Sequence, residues 1–278
     1  MGQDHVSQFR ARGYAVVPGV FDATEVTAMA AAFDRIHAQA SALGRSWRHR
    51  NVHFRLADDA ALGRIVRFAQ WPAWIDEDLA AVRCDPRLLA ILEPLIGGNL
   101  KQIINQMHWK PPGAASAGFG FHQDSRSRRP REAYRDMAAS YIQTGIAVDP
   151  HRAENGAMLM VPRSHELGEL PFDPTKPSMF ESLDVADLAA RGLDPDAVEV
   201  LELAPGDVAL WHVHTLHGSG PNRSAIDRRF YLNGYVTAAN CDRGEWAFRD
   251  GRPCPLSGEP VLVHYEALHT DPGPMFVD

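Results

Sequence analysis

The chain has 278 residues, 45% hydrophobic and 23% charged, the proportions of an ordinary folded protein. Its formal charge of −7, with no long basic run, excludes a general nucleic-acid binder, and no apolar segment reaches the roughly 18 residues of a membrane span. Cys84, Cys241 and Cys254 are too few and too scattered for a Cys-rich zinc module. Together with a Met1–His5 start that lacks the basic and apolar regions of a secretory signal, they fit a reducing cytoplasm.

Taken in order, residues 6–21 read as a short helix and then a strand, Tyr14–Val17, stopped by Pro18-Gly19. Asp22 and Glu25 have the spacing of a capping box. Val26, Met29, Ala30, Phe33, Ile36, Ala40 and Leu43 then recur at helical spacing until Gly44, so one face of this helix is expected to pack on a sheet. Residues 45–76 read as irregular. Their Arg48, His49, Arg50, His53 and Arg55 suit a solvated basic loop, or else a flap that meets an anionic substrate. Asp85-Pro86 opens a second helix through Leu95, closed by Gly97-Gly98.

From Leu100 the pattern turns to β. Ile103, Ile104, Met107 and Trp109 precede Lys110-Pro111-Pro112-Gly113, and a run from Phe119 ends in His122-Gln123-Asp124. On a strand, residues two apart share a face, so His122 and Asp124 would aim at one ion. The tripeptide alone is a weak signal. Ser140–Val148 and Ala157–Val161 read as strands joined through Asn155-Gly156, a strong hairpin dipeptide. Residues 163–198, rich in Pro and acids and partly helical near 185–190, read as a long insertion of the kind that often forms a lid. After Pro205-Gly206-Asp207, Val208–His217 reads as one strand; the turn Gly218–Ser224 follows, and Arg228 opens the next β-rich run. The order predicts a mainly β fold with flanking helices, a double-sheet jelly roll. We expect one domain over 1–278: a helical flank to about 99, a core from about 100 to 240 with the lid insertion at about 163–198, and an extension from about 241 to 278.

His212, His214 and His217 crowd one stretch, and His217, beside the turn, is best placed at the mouth of a jelly roll. A lone histidine there is more often a satisfied core or surface residue. With His122 and Asp124, however, it completes two imidazoles and one carboxylate, the donor set of non-haem Fe(II) oxygenases. His217 and Arg228 are expected on adjacent antiparallel strands either side of the turn. Arg228 shares parity with Phe230 and Leu232, an apolar inner face on which an unpaired cation is costly, so it points to an anionic ligand; Arg229 falls on the other face.

Lys110-Pro111-Pro112-Gly113, His122-Gln123-Asp124, Glu154-Asn155-Gly156 with Val161-Pro162-Arg163-Ser164-His165, Pro205-Gly206-Asp207 and the His217–Arg228 stretch, in that order, resemble the phytanoyl-CoA dioxygenase family of Fe(II)- and 2-oxoglutarate-dependent oxygenases. The resemblance runs from about Phe9 to Val236 and implies a double-stranded β-helix. It implies His122, Asp124 and His217 as iron ligands at the catalytic centre. It further implies Arg228 against the distal carboxylate of 2-oxoglutarate, Ser219 assisting it, and Lys110 and Gln106 lining the same pocket. A carboxylate at 124 implies a hydroxylase, because halogenating relatives carry a small residue there. Two departures stand out: Arg163 where the family usually has Gly, and Gly145 where some members place an aromatic over the cosubstrate.

With three protein ligands on iron, 2-oxoglutarate and O2 take the remaining positions, and the expected reaction hydroxylates a C–H bond and releases succinate and CO2. Arg126 and Arg128 follow the His-Gln-Asp run. A solvated loop is the bland reading; the alternative is an anchor for a carboxylate or phosphonate, with Arg126 preferred by its nearness to Asp124 and its parity. The expected substrate is therefore a small anionic molecule, an amino-acid derivative or natural-product intermediate, with no nucleic-acid or membrane partner. Two rival classes use the same three ligands: a non-catalytic metal-binding jelly roll, which has no need of Arg228, and a zinc hydrolase.

Overall fold

Helices and sheets appear largely where the periodicity places them in the computed structural model, which describes residues 4–114, 117–171, 188–189, 191–260 and 274–277. Helix α1 (Asp4–Arg12) leads into strand β1 (Tyr14–Val17). The capping box forms: the Asp22 carboxylate accepts from the Thr24 and Glu25 amides at 2.8 and 2.9 Å, and Glu25 accepts from the Asp22 amide at 2.9 Å. It starts α2 (Ala23–Leu43), which ends at Gly44 in a left-handed conformation. Asp85 caps α4 (Pro86–Ile96), which follows the short α3 (Glu77–Val82).

Residues 45–76 are not a loop. They form β2 (Trp47–His49), β3 (Val52–Asp59) and β4 (Gly63–Gln70), a meander that widens the main sheet. Val52, Phe54 and Leu56 are buried while His53, Arg55 and Ala57 are only partly so. That is a period-two pattern, and the charges between its apolar residues disguise it.

The remaining strands are β5 (Leu100–Lys110), β6 (Phe119–His122), β7 (Tyr141–Ala147), β8 (Met158–Met160), β9 (Glu199–Leu201), β10 (Val208–His212), β11 (His217–Ser219), β12 (Arg228–Thr237), β13 (Glu245–Arg249), β14 (Arg252–Pro253) and β15 (Met275–Phe276). The major sheet runs β1-β10-β7-β12-β5-β4-β3-β2-β15, with β13 and β14 on a branch from β5; the minor sheet runs β6-β11-β8-β9. Both are antiparallel, and they stack as a jelly roll. Parts of the C-terminal extension, β13 and β15, are strands of the major sheet.

Three expectations about connections are corrected. Val208–His217 is two strands, because β10 stops at His212 and a turn closed by the Thr215 amide on the His212 carbonyl, 2.9 Å, carries the chain to the minor sheet. Asn155-Gly156 joins β7 of the major sheet to β8 of the minor one, so it is not a hairpin. His217 and Arg228 accordingly stand on different sheets and not on adjacent strands. Turn residues dictate where a chain reverses; they do not say which leaf of a sandwich receives it. Of the expected lid at 163–198, residues 172–187 and 190, and with them most of the expected helical part, lie outside the described residues.

Parity along β12 divides the interior. Tyr231 and Tyr235 face the helices and join Met29, Phe33, Leu88 and Leu92 in the larger core, while Phe230 packs between the sheets with Met158, Met160 and Trp211. Among the described residues no helix is long and apolar enough to cross a membrane.

Candidate active site

β6 and β11 are neighbours in the minor sheet with His122 opposite His217, and their rings lie 4.3 Å apart. The Nδ1 of His122 lies 2.7 Å from the Gly120 carbonyl and that of His217 2.9 Å from the Thr215 carbonyl. A carbonyl accepts only from a protonated nitrogen, so both rings keep their Nε2 lone pairs for a ligand. Asp124 is not on the strand: β6 ends at His122, and Asp124 opens a 3-10 turn, Asp124–Ser127. The turn still delivers the carboxylate. Its Oδ2 is 3.9 Å from His217 Nε2, and one donor atom from each of the three residues lies within 4.8 Å of the others. Trp211, which the sequence did not single out, donates from Nε1 to Asp124 Oδ2 at 2.9 Å.

Burial and then the neighbouring His217 hold the His122 imidazole well below its ordinary pKa, which leaves it neutral. Burial alone would raise the Asp124 carboxyl, but His217, Arg128, His122 and the Trp211 hydrogen bond together keep it below its usual value. Two imidazoles whose Nδ1 atoms are engaged by backbone carbonyls and an ionised carboxylate, converging on one point, fit a divalent iron and leave its other positions open.

The cluster lines a cavity of about 130 Å³ between the sheets. Arg228 enters from the major sheet; it is 2% exposed, its Nε has no hydrogen-bond partner, and burial pushes its pKa down. The closest compensating carboxylate, Asp149, is held instead by Arg229 at 2.8 Å. Ser219 lines the cavity at the same end. Lys110 does not line it. Its Nζ donates to Ser219 Oγ at 2.7 Å and to the Gly220 and Gly156 carbonyls at 2.5 and 3.1 Å, so all three N–H bonds are used. Lys110 thus acts on the cavity through Ser219. Gly156, at φ +76°, lies so close to the Gly220 carbonyl and Lys110 Nζ that a Cβ has no room, which accounts for the Asn-Gly pair.

Gln106 lines the cavity, yet it is level with Leu232 and Gln70, four residues along β5 from the Lys110–Arg228 pair. The structure therefore does not bring it to the Arg228 end. Over Gly145 the missing aromatic is replaced in space by Phe230, whose ring occupies the position of a Cβ. Arg163 adopts the left-handed conformation, φ 63°, that its usual Gly would take.

Arg126 does not line the cavity, whereas Ser127 and Arg128 do, because strand parity does not continue through a 3-10 turn. Arg128 is 4% exposed and donates to the Tyr141 hydroxyl at 2.6 Å. Gln143, another residue sequence reasoning passed over, lies beside it in the lining. The alternation of β7 carried the signal for Gln143; nothing periodic marks Arg128. His212 is spent elsewhere, its Nε2 paired with the Ala138 carbonyl at 2.8 Å and its Nδ1 accepting from the His214 amide at 3.0 Å, and neither it nor His214 lines the cavity.

A family model described as phytanoyl-CoA dioxygenase (PhyH) matches residues 9–230. A probable alpha-ketoglutarate-dependent hypophosphite dioxygenase from Stutzerimonas stutzeri is 28% identical over 227 residues, covering 82% of this chain and 76% of that one. An ectoine dioxygenase from Stutzerimonas stutzeri (strain A1501) is 24% identical over 249 residues, covering 84% and 77%. The crystal structure of EctD from S. alaskensis with 2-oxoglutarate and 5-hydroxyectoine superposes with a TM-score of 0.65 at 20% identity, over 95% of this chain and 86% of that one, and so shares the fold. The match over most of the length, on a jelly roll that gathers His122, Asp124 and His217, means that this chain belongs to the phytanoyl-CoA dioxygenase family of Fe(II)- and 2-oxoglutarate-dependent oxygenases.

Proposed function

We propose that the protein hydroxylates a C–H bond of a small anionic molecule, an amino-acid derivative or natural-product intermediate, with His122, Asp124 and His217 holding iron and Arg228 holding the far carboxylate of 2-oxoglutarate. One observation carries this reading: a three-donor cluster faces, across a single cavity, a buried guanidinium whose Nε has no partner. A non-catalytic metal-binding module needs only the cluster and has no need of that guanidinium, and a zinc hydrolase would work without an oxoacid. The two curated relatives described above are named for small molecules, and hypophosphite is itself an oxyanion.

When bound, iron and 2-oxoglutarate supply the oxidising chemistry: one atom of O2 goes into the new C–OH, the other into succinate, and CO2 leaves. The chain's own residues aim it. The Gly120 and Thr215 carbonyls fix the two imidazoles, and Trp211 restrains the Asp124 carboxylate. Arg228 offers two parallel donors to a carboxylate, which a lysine cannot do. Ser219, held by Lys110, adds a hydroxyl at that end. Phe119, Phe230 and Trp211 line the walls and exclude water. We read residues 1–278 as one oxygenase domain and place it in a reducing cytoplasm; β13 and β15 lying within the major sheet, and Cys84, Cys241 and Cys254 being free thiols, support those two readings.

The test is anaerobic. Adding Fe(II) and 2-oxoglutarate to metal-free protein should give a weak visible charge-transfer band, and admitting O2 with a panel of small acids that includes hypophosphite should release succinate. Absence of both the band and succinate sinks the reading.

A further inference from the structure

The cavity has two chemically distinct ends. Arg228 and Ser219 occupy one; Gln70, Gln106, Gln143, Ile104 and Arg128 line the other. We infer that Arg128 anchors the substrate's charged group, selecting a small oxyanion and setting that group beside the bond to be oxidised. This deepens the proposed function and rests on it for the metal and the cosubstrate.

Three observations carry the inference. Arg128 is held in advance: Nη2 donates to the Tyr141 hydroxyl at 2.6 Å and reaches the Gln143 Oε1 at 3.4 Å, Tyr141 donates in turn to Gln143, and the guanidinium lies 4.9 Å over the Tyr141 ring. Its Nε, by contrast, has no partner although the side chain is buried. A planar fork already ordered by two neighbours loses little freedom when it takes a carboxylate or phosphonate.

Charge comes second. The facing carboxylate is Asp124, 3.6 Å away and beyond hydrogen-bond reach. Once Asp124 serves a divalent metal and Arg228 serves the cosubstrate, Arg128 is a buried cation that needs an anion of its own. The uncharged neighbours Gln70, Gln106 and Gln143 bring no competing negative charge.

The third observation is the sheet face beyond the cavity. Gln70 pairs in register with His53, and His53 with Arg48; Arg55 pairs with Phe68, and Phe68 with the cavity residue His108. Arg48, His53 and Arg55 therefore extend the same face outward, and the two guanidinium groups favour an approaching anion. Because Arg128 stands so close to a proposed metal ligand, an anion held there lies next to the metal. The oxidised bond is then on the atom bearing the anionic group or one bond removed, and long acyl chains with distant carboxylates are excluded.

The experiment uses the protein loaded under argon with Fe(II) and 2-oxoglutarate, whose band reports the proposed function independently. Methylphosphonate, acetate and uncharged acetamide are then titrated in, followed by calorimetry and by the shift of the band. Methylphosphonate or acetate should bind and acetamide should not; the stronger of the two identifies a phosphonate or a carboxylate substrate. Arg128→Gln should weaken that oxyanion tenfold or more with the band unchanged before its addition, Arg128→Lys should recover part of it, and Tyr141→Phe should weaken it several-fold. Unchanged oxyanion affinity in Arg128→Gln, no oxyanion binding to the parent protein, or loss of the band in Arg128→Gln would overturn the inference, the last showing that Arg128 serves Asp124 alone.

Discussion

Arg228 and Arg229 are neighbours in sequence with opposite surroundings. Arg228 lines the cavity, while Arg229 lies across the sheet, bonded to Asp149 at 2.8 Å and to Asp34 at 3.2 Å. In the role proposed for it, Arg228 gives the cosubstrate two charge-assisted hydrogen bonds, about 3 kcal/mol together, and its removal would take both away. Arg228→Ala should therefore raise the half-saturating concentration of 2-oxoglutarate by roughly 100-fold, while Arg229→Ala should change it less than about threefold and lower the thermal midpoint instead. Steady-state titration and calorimetric melting separate the two; equal shifts in 2-oxoglutarate requirement would mean that Arg228 does not hold it. Parity along one strand made this distinction legible, since Phe230 and Leu232 mark the inner face. Arg128 was not legible in the same way. The backbone leaves the strand at Gln123, and in a 3-10 turn the alternation of faces ceases to predict direction.

At the scale of elements, helices α1, α2 and α4 were legible because their signals are local: Asp22 and Glu25 are three residues apart, and so are the atoms that bond; the six-residue α3 carried no such signal. The β2–β4 meander was missed for the opposite reason. Its strands alternate, but Arg48, His53 and Arg55 made the segment look solvated, and only pairing with distant β5 explains where such residues go. The destination of each turn was equally nonlocal. The Gly156 turn illustrates what such a connection requires: it passes against Gly220 and Lys110, where a side chain has no space and φ is positive. Gly156→Ala should cost about 2 kcal/mol from left-handed strain and crowding, visible as a thermal midpoint lower by roughly 4 °C or more. Because the same crowding displaces Lys110 from Ser219, 2-oxoglutarate affinity should fall as well. A variant that melts and binds like the parent would contradict this account of the turn.

The whole molecule carries an acid sensitivity of its own. Burial first, and then Arg228 and other nearby cations, push His108 down to about 3; burial and His214 push His212 down to about 4; burial also holds the fully buried His151 far below its ordinary value. Each stays neutral in the folded chain while the unfolded chain protonates it near 6.5, so the unfolded state binds more protons below that pH. Stability is then highest above 6.5 and declines as pH falls through it. At pH 5 one fully buried histidine of this kind costs about 2 kcal/mol. The melting temperature should fall steadily from pH 7 to pH 5, and His151→Leu should flatten that slope; a pH-independent midpoint would contradict it.

The donors for iron hang on the minor sheet and the turn after β6, whereas Arg228 belongs to the major sheet. A diacid held as proposed, from the metal to that guanidinium, would be a fastener between the two leaves of the sandwich. Its binding energy adds directly to the cohesion of the barrel, and what loosens the barrel must weaken its grip on the diacid. Scarcity of iron or of 2-oxoglutarate would leave this enzyme both idle and at its most vulnerable to proteolysis.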